Sequence, residues 1–535
     1  MMQDGGYKRF KLFYLSFIII LLLFPINLSS CKENKAQSDN PPFINSEYNS
    51  IISDKWMGIY FKGNKLGFTN SVIHEGRDGY KIISKAIIKM KALGEVQETS
   101  FSQECYLTKD LKTRGFESLN QIAGHRQKIS AIVKGDKLHM EIASAGAVSK
   151  RTIDFDKDTH LAGALELVIT KLGLTSPSSP PSEGGERGGG LEVGKKYNIK
   201  IFMEPIQAIV PLQIEIKRKE KIEIEGIEKD VYYLEEKFKE LSAGIWITED
   251  GEVIKEVSLE GLESRKEDKD TALKFDREII PVSSLITFSL IKPNKEIKEP
   301  HNVKRLRLKL KNISNPNIII EDQRQKVLKK SEVGSQESGV RRNTYDVEME
   351  IKTESQKPSA FSLQPSAISK YLEDTPEIQS NNIEIKKKAL EIVGVESDPR
   401  LKHSGASLLS KALKINKWVY DYLDKKPVDT FSAVDALKSK EGECQSHSNL
   451  FAALSRASGI PTKIVAGIVY SEDYNGFLYH AWPEVYIGEW IALDPTLGED
   501  EVDATHIKLV EGGWEEQLKL LHYIGKVGIE IIEMN

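Results

Sequence analysis

The sequence predicts a multidomain chain in which mostly antiparallel β domains are followed by a C-terminal α+β domain. Three observations lead to this fold class. The chain has 535 residues, which is enough for about two to four domains. From residue 51 onward, short β-branched runs alternate with turn residues, as in antiparallel sheets. After residue 380, apolar residues recur first at helical spacing and then in strand-like runs.

The first 31 residues have the layout of an export signal. Lys8, Arg9 and Lys11 precede an apolar run over residues 12–26. A positive segment followed by a short apolar segment is typical of a secretory signal peptide. The run is short for a membrane-spanning helix, which needs about 20 apolar residues.

The end of this signal carries a more specific pattern. Leu28-Ser29-Ser30-Cys31 resembles the lipobox of bacterial lipoproteins. The resemblance implies cleavage before Cys31 and lipidation of that cysteine, and several acyl chains give a stable anchor. Because Lys32 follows, the resemblance to the Gram-negative sorting rule implies an exported protein on the periplasmic face of the outer membrane. The alternative is an ordinary signal peptide with an incidental cysteine.

The next segments are interpreted as a tether and a β-rich domain. Residues 32–50 are polar and predict a flexible tether, and residues 51–290 predict the β-rich domain. Two hairpins are expected within it, around residues 62–65 and around Asp250-Gly251. A Ser/Pro/Gly-rich stretch over residues 176–190 interrupts this domain and predicts a disordered surface insertion.

A second, small β module is predicted over residues 300–356. Residues 303–310 alternate basic with apolar side chains, and residues 345–351 alternate acidic with apolar ones. The basic residues could form a stripe that binds a partner, but a solvated strand face is the favoured interpretation. Residues 357–380 predict a polar linker, and residues 381–535 form the last domain.

Composition limits the possible partners. The net charge is −4, so the chain lacks the basic footprint of a nucleic-acid-binding protein. The three cysteines are Cys31, Cys105 and Cys444. Cys105 lies in an alternating run and is expected to be a core residue. We expect Cys105 and Cys444 to be free thiols, and a free thiol in an exported protein needs a reason.

Cys444 is predicted to lie at the start of a helix. It follows Gly442, and the downstream apolar residues Leu450, Phe451 and Leu454 recur at helical spacing. Gly459 then predicts the end of the helix. The dipole and the N–H groups at a helix N-terminus favour a thiolate and can bind an oxyanion.

Two residues downstream complete a possible catalytic set. His480 and Asp494 follow Cys444, in the order nucleophile, base and orienting acid. They lie in a predicted hairpin about Gly488-Glu489. A two-residue loop would place Asp494 opposite Pro483, on the other face from His480, whereas one extra residue would place it on the same face. We therefore predict a three-residue loop or a bulge.

These motifs together resemble the transglutaminase-like superfamily. The residues that carry the resemblance are Gly442-x-Cys444, Leu450-Phe451-Ala452-Ala453-Leu454, His480-Ala481-Trp482 and Trp490-x-x-Leu493-Asp494-Pro495-Thr496. The resemblance implies a papain-like α+β core with Cys444 as nucleophile, His480 as base and Asp494 as orienting acid. It also implies a second oxyanion donor upstream of the cysteine, for which Trp418, Tyr422 and Phe431 remain open.

Other residues near these motifs are expected to have supporting roles. We expect three residues to contact the catalytic residues and hold them in place without reacting themselves: His447, Trp482 and Glu484. His506 is expected to be structural. A metal site built on Cys444 and His447 would need a third ligand, and the usual Cys/His finger spacings are absent from the sequence. We therefore expect neither a metal nor a cofactor.

The expected function is that of a lipid-anchored cell-envelope cysteine amidohydrolase. It would cleave or transfer the acyl group of a protein or peptide amide through a thioester on Cys444. The alternative is a non-catalytic envelope lipoprotein that retains the fold as a scaffold or binding module. Substrate identity, hydrolysis against amine transfer, calcium dependence and oligomeric state stay open at this point.

Overall fold

A computed structural model describes most of the chain. The described residues are 47–92, 95–122, 124–175, 191–204, 207–224, 226–238, 241–258, 262–275, 279–281, 283–337, 340–353, 365–394, 405–426 and 430–535. The predicted signal, the lipobox, most of the tether and the insertion at 176–190 lie outside these residues. The described chain forms two compact units, one ending before residue 282 and one running from Ser283 to Asn535. Among the described helices, none has the length and hydrophobicity to span a bilayer.

The described part of the N-terminal unit contains fifteen strands, two α-helices and the 3-10 turn Ala162–Ala164. The strands are β1 Ser50–Phe61, β2 Asn64–Gly76, β3 Gly79–Ala92, β4 Glu95–Thr108, β5 Thr113–Ile122, β6 His125–Lys134, β7 Lys137–Ser144, β8 Ala147–Asp154, β9 Thr159–Leu161, β10 Lys196–Met203, β11 Ala208–Ile224, β12 Ile227–Phe238, β13 Leu241–Ile247, β14 Val253–Ser258 and β15 Leu262–Glu267. The helices are α1 Leu165–Thr175 and α2 Lys269–Leu273.

These strands form one sheet in the order β8-β7-β6-β5-β4-β3-β2-β1-β15-β14-β13-β12-β11-β10-β9. Nearly every pair of neighbours is antiparallel, the exception being β9 with β10. This arrangement confirms the predicted antiparallel β region. Both predicted hairpins are present, joining β1 to β2 and β13 to β14.

One face of this sheet is buried because its strands alternate. In β3, nearly every second residue is buried, as expected for a strand with one face in the core. Leu167 and Val168 of α1 pack on this face against Cys105 and Phe116. Cys105 is fully buried and is a free thiol, which confirms the core position predicted for it.

The C-terminal unit contains two four-stranded sheets and several helices. Its strands are β16 Arg305–Ile313, β17 Gln325–Glu337, β18 Val340–Lys352, β19 Asp424–Lys425, β20 Glu441–Gly442, β21 Thr462–Ser471, β22 Gly476–Tyr486, β23 Trp490–Ala492, β24 Ile507–Glu511 and β25 Gly528–Met534. Its α-helices are α3 Ser283–Ser289, α4 Pro365–Ser369, α5 Ile383–Val393, α6 Gly405–Tyr422, α7 Ala433–Ser439, α8 Cys444–Ala457 and α9 Trp514–Gln517.

The first of these sheets has the order β17-β18-β16-β25. It contains the three strands of the segment predicted as a small β module, and its fourth strand comes from the end of the chain. The basic side chains of β16 lie on the outer face, where Arg305 pairs with Glu350 and Arg307 with Glu348. The basic stripe is therefore a solvated, ion-paired strand face, as the sequence favoured.

The second sheet has the order β23-β22-β21-β24 and carries the predicted catalytic region. Strands β21 and β22 are buried over their whole length. Helix α8 packs on both strands and also contacts α5, α6 and α7. The described part of the predicted linker also packs on this sheet, since Tyr371 lies edge-on to Trp490 with ring centroids 4.8 Å apart.

Candidate active site

Cys444 is the first residue of α8, where the sequence predicts it. The N-cap residue is Glu443, whose side chain accepts no hydrogen bond from the first turn. The thiol is not part of a disulfide and is partly buried. The first N–H groups of any helix have no acceptor within the helix, so Cys444 lies where a negative charge is stabilised.

The entry into α8 is fixed by close packing around Ser446. A Cβ on Gly442 would lie 2.3 Å from Cβ of Ser446, so only glycine fits before the cysteine. Oγ of Ser446 in turn accepts the backbone N–H of Thr430 at 2.8 Å. These contacts hold the segment that precedes Cys444 against the helix.

Helix α8 is tied to the strand that carries His480. Ser448, one turn after Cys444, donates its hydroxyl to the carbonyl of Ala481 at 3.1 Å. Both residues are buried. The bond brings the start of α8 to the strand segment next to His480.

The hairpin of β22 and β23 has the extra residue that the sequence predicts. Tyr486 pairs with Trp490 and Glu484 with Ala492, which leaves a three-residue loop over 487–489. Continuing this register places Asp494 opposite Trp482, and Leu493 donates its N–H to Pro483 at 3.1 Å. Nε2 of His480 lies 2.6 Å from Oδ2 of Asp494. The hairpin prediction is therefore confirmed.

Asp494 is fully buried and its carboxylate accepts four hydrogen bonds. Oδ2 accepts from His480 and, at 3.1 Å, from Nε2 of His506. Oδ1 accepts the backbone N–H groups of Thr496 at 2.7 Å and Leu497 at 3.1 Å. Burial opposes the ionisation of Asp494, but the charge and hydrogen bond of His480 and the hydrogen bond of His506 hold its pKa well below the usual range.

His447 lies one turn from Cys444 and is neutral. Burial lowers the pKa of His447 to about 4. Its Nδ1 donates to the carbonyl of Glu443 at 2.8 Å. The same ring is electrostatically coupled to Asp494 and His480. His447 thus braces the N-cap of α8 beside the pair formed by His480 and Asp494.

Trp482 contacts the site directly, as the sequence predicted. Its ring stacks beside His480 at a centroid distance of 6.0 Å and lies edge-on to His506 at 5.2 Å. The indole therefore packs against both imidazoles.

Glu484 does not support the catalytic residues in the way the sequence predicted. Its carboxylate pairs with Lys463 and Lys508, each at 3.0 Å. Glu484 shares a strand face with His480, but four residues of strand separate them by about 13 Å. Its role is therefore to neutralise two buried lysines of neighbouring strands.

His506 was expected to be structural, and sequence reasoning missed its contact with Asp494. It lies just before β24, and its Nδ1 is 3.3 Å from Oδ1 of Asp503. Burial alone would lower the pKa of His506, but the charge of Asp503 and hydrogen bonds to Asp494 and Asp503 raise it to about 10. The pattern Asp503-Ala504-Thr505-His506 was visible in the sequence, but its partner Asp494 was not.

The structure narrows the search for a second oxyanion donor. The hydroxyl of Tyr422 donates to the carbonyl of Leu437 at 2.8 Å. The N–H of Phe431 donates to Asp435 at 3.1 Å, and the ring of Trp418 stacks on Tyr422 at 4.2 Å. The hydroxyl of Tyr422 and the N–H of Phe431 are therefore engaged elsewhere, which leaves the indole N–H of Trp418 and the backbone N–H groups at the start of α8 as candidates.

Two groups of described residues bring three possible metal-ligating atoms together. They are His480, Asp494 and His506, and Glu499, Asp503 and His506. Both groups depend on His506, whose two ring nitrogens already contact carboxylate oxygens. A ring that donates from both nitrogens has no lone pair for a metal, so hydrogen bonding accounts for both groups.

Comparison with known proteins agrees with this site. Residues 398–495 match the family model of the transglutaminase-like superfamily. No curated protein matches the chain.

The solved structures that match are distant. One is the "Putative Cysteine Protease from Cytophaga hutchinsonii", with 18% identity, a TM-score of 0.29 and coverage of 44% of this chain and 89% of that chain. Another is the "Beta-barrel-like Protein of Domain of Unknown Function DUF1849 from Brucella abortus", with 12% identity, a TM-score of 0.28 and coverage of 41% and 97%. A third is a "putative protease from Parabacteroides distasonis", with 11% identity, a TM-score of 0.18 and coverage of 71% and 68%. These scores are too low to carry an argument about activity.

The matched region includes Cys444, His480 and Asp494, together with helix α8 and the hairpin that carries the imidazole and the carboxylate. Over residues 398–495, less than a fifth of the chain, this protein is therefore similar to the transglutaminase-like superfamily.

Proposed function

We propose that the C-terminal unit is a cysteine amidohydrolase or acyltransferase with Cys444 as its nucleophile. The observation that carries this proposal is the buried contact of 2.6 Å between His480 and Asp494. It lies on the strand to which the helix beginning at Cys444 is hydrogen-bonded. A nucleophile, a base and an acid that orients the base are the parts that acyl transfer needs.

The proposed reaction begins with transfer of the thiol proton of Cys444 to Nδ1 of His480, since Nε2 of His480 is held by Asp494. The thiolate attacks the carbonyl carbon of a protein or peptide amide, and the N–H groups at the start of α8 stabilise the oxyanion. The C–N bond breaks, and the departing amine takes the proton from His480. The acyl group remains on Cys444 as a thioester.

The second half of the reaction returns the enzyme to its starting state. His480 takes a proton from water as the water attacks the thioester, which releases a carboxylic acid and the Cys444 thiolate. The proton on His480 then returns to Cys444. If a primary amine attacks in place of water, the product is a new amide, so hydrolysis and transfer share this site. Hydroxylamine added during turnover would take the acyl group in place of water. The yield of hydroxamate would then measure how readily the thioester transfers its acyl group to an amine.

Iodoacetamide labelling across pH 5 to 9, followed by mass spectrometry of the peptides, tests the nucleophile. We expect Cys444 to react well below pH 8.5, near which an ordinary thiol ionises, and to lose this reactivity in His480→Ala. Cys105 is the internal control, because burial raises the pKa of its thiol well above the usual value. If Cys444 labels no faster than the same cysteine in urea, the scaffold alternative is favoured.

The location of the protein is part of this proposal. The basic segment, the apolar run and the lipobox-like Leu28-Ser29-Ser30-Cys31 support a lipid anchor at Cys31. Lys32 supports sorting to the periplasmic face of the outer membrane. Fractionation of cells that express the protein and its Cys31→Ala variant is the test. We expect the first in the outer membrane and the variant absent from it, and equal distribution of the two would contradict the anchor.

A further inference from the structure

His506 lies between two carboxylates in the interior of the C-terminal unit. Nε2 is 3.1 Å from Oδ2 of Asp494, and Nδ1 is 3.3 Å from Oδ1 of Asp503. An ionised carboxylate only accepts hydrogen bonds. Both ring nitrogens must therefore donate, which requires the doubly protonated, positively charged imidazole.

The oxygen that His506 contacts is the one that orients His480. Oδ2 of Asp494 thus receives two imidazole N–H groups, and the two rings are 6.0 Å apart between centroids. We propose that His506 is a positioning residue, an imidazolium that fixes the carboxylate of Asp494 and shares its negative charge with His480. This inference rests on the proposed function, because it assigns a role in the same reaction.

The surroundings of His506 support a fixed charge at this place. The charged and titratable groups that face it are Asp494, Glu499 and Asp503 from the loop before β24, His480 from β22 and Arg324 from the loop before β17. Burial and the charge of Asp503 raise the pKa of Glu499 to about 8, so Glu499 is largely uncharged near neutral pH. One imidazolium then lies between two carboxylates.

The backbone that carries His506 is held by the neighbouring sheet. Arg324 is almost fully buried and donates to the carbonyl of Asp503 at 2.7 Å and to that of His506 at 3.4 Å. A Cβ on Gly467 would lie 1.9 Å from the carbonyl oxygen of Ile507, so this glycine lets the start of β24 approach β21. Both features fix the ring of His506 beside Asp494.

The contact of His506 with Asp494 has a consequence for His480. The orienting acid of a triad holds the imidazole in one tautomer and one orientation. A second imidazole N–H on Oδ2 fixes the carboxylate that does this, so His506 acts on His480 through Asp494.

The test is NMR of the protein labelled with ¹⁵N-histidine, together with His506→Gln and His506→Leu. In the unsubstituted protein, we expect His506 to retain both ring N–H protons up to about pH 9. In both variants the Nε2–H proton resonance of His480 shifts, because Oδ2 of Asp494 has lost its second imidazole donor. Alkylation of Cys444 at pH 7 falls roughly tenfold in His506→Leu, because Asp494 no longer holds the ring of His480 in place, and less in His506→Gln, which keeps one donor for Asp494.

The control is His301→Gln, which alters an exposed histidine and should leave all readouts unchanged. The NMR spectrum of the unsubstituted protein keeps the inference testable even if a variant unfolds, since a single ring proton on His506 at pH 7 would refute it. An activated Cys444 with the same His480 Nε2–H resonance in every variant would refute the positioning role alone. An inert Cys444 in the unsubstituted protein would instead refute the proposed function.

Discussion

Nε2 of His480 lies 2.6 Å from Oδ2 of Asp494, and the contact depends on a three-residue loop between β22 and β23. Because side chains alternate along a strand, a loop shorter by one residue would turn Asp494 to the opposite face. The length of this loop therefore decides whether the carboxylate of Asp494 can bond to the imidazole of His480.

Asp494→Asn tests what the charge of this acid contributes. An amide can still accept the hydrogen bond of His480, but it does not stabilise the protonated imidazole. We expect the hydrolysis rate of an amide substrate to fall on the order of 10³–10⁴-fold, as for other triads, while circular dichroism shows a folded protein. Asp473→Asn, in the exposed loop before β22, is the control. Equal rates in the two variants would remove Asp494 from the mechanism.

Arg324→Met tests the support that the neighbouring sheet gives to the site. The substitution removes two hydrogen bonds from a buried guanidinium to the carbonyls of Asp503 and His506. A hydrogen bond from a charged group contributes about 1.5–3 kcal/mol, and the bond to His506 is long, at 3.4 Å. We therefore expect the free energy of unfolding to fall by roughly 2–4 kcal/mol. Alkylation of Cys444 should slow as well.

Arg307→Met is the matched control for Arg324→Met. Arg307 pairs with Glu348 on the solvated face of the same sheet, where an ion pair is worth about 0–1 kcal/mol. Urea unfolding of both variants measures the difference. Similar losses would mean that the contacts of Arg324 have no special importance for the loop that carries His506.

The parts of the site that the sequence predicted are those governed by local rules. Helical spacing after Cys444 and the glycine before it placed the thiol at the start of α8. The alternation of β22 and β23, together with the requirement that Asp494 face His480, predicted the extra residue in the loop. Each of these inferences needs only residues that are close in the chain.

The parts that were missed depend on contacts between distant segments. The guanidinium of Arg324 reaches residues about 180 positions later, and nothing near Arg324 in the sequence indicates that. Strand β25 joins β16 across more than 200 residues, although the alternation of Ile529 and Ile531 with Glu530 was a visible strand signal. The role of Glu484 was predicted wrongly because β22 is buried on both faces. The residue pattern of β22 therefore could not show which side chains Glu484 contacts.

Glu484→Gln separates stability from catalysis in the same sheet. Glu484 and Lys508 are each 3% exposed and Lys463 is 6% exposed. Without this carboxylate Lys463 keeps Glu511, and Lys508 keeps Asp322 and Glu511. The loss should therefore be smaller than the roughly 3–5 kcal/mol of a buried pair that is broken outright. We expect a lower urea midpoint, while the pH dependence of Cys444 alkylation keeps its shape. A shifted pH profile would restore the direct role that the sequence predicted for Glu484.

We expect the stability of the N-terminal unit to fall as pH rises, because two of its carboxyl groups are buried. Glu236 and Glu256 are both less than a tenth exposed. Burial and the nearby Glu256 raise the pKa of Glu236 to about 8, and burial raises the pKa of Glu256 to about 7, although Lys55 opposes this shift. A folded-state pKa above the unfolded value means that only the unfolded chain loses its proton between those values. The stabilisation that Glu236 and Glu256 give while protonated is therefore complete below about pH 4.5. It is lost as pH rises through about 8.

Glu236→Gln should remove part of this pH dependence. We expect the variant to gain about 2–3 kcal/mol relative to the unsubstituted protein between pH 6 and pH 8.5, since one pKa unit corresponds to about 1.4 kcal/mol. The buried thiol of Cys105 reports unfolding of this unit, so its labelling by maleimide after equilibration in urea measures the midpoint at each pH. Glu249→Gln, whose side chain is 74% exposed, is the control. A difference between Glu236→Gln and the unsubstituted protein that stays the same at both pH values would show that Glu236 is already ionised in the folded chain at pH 6.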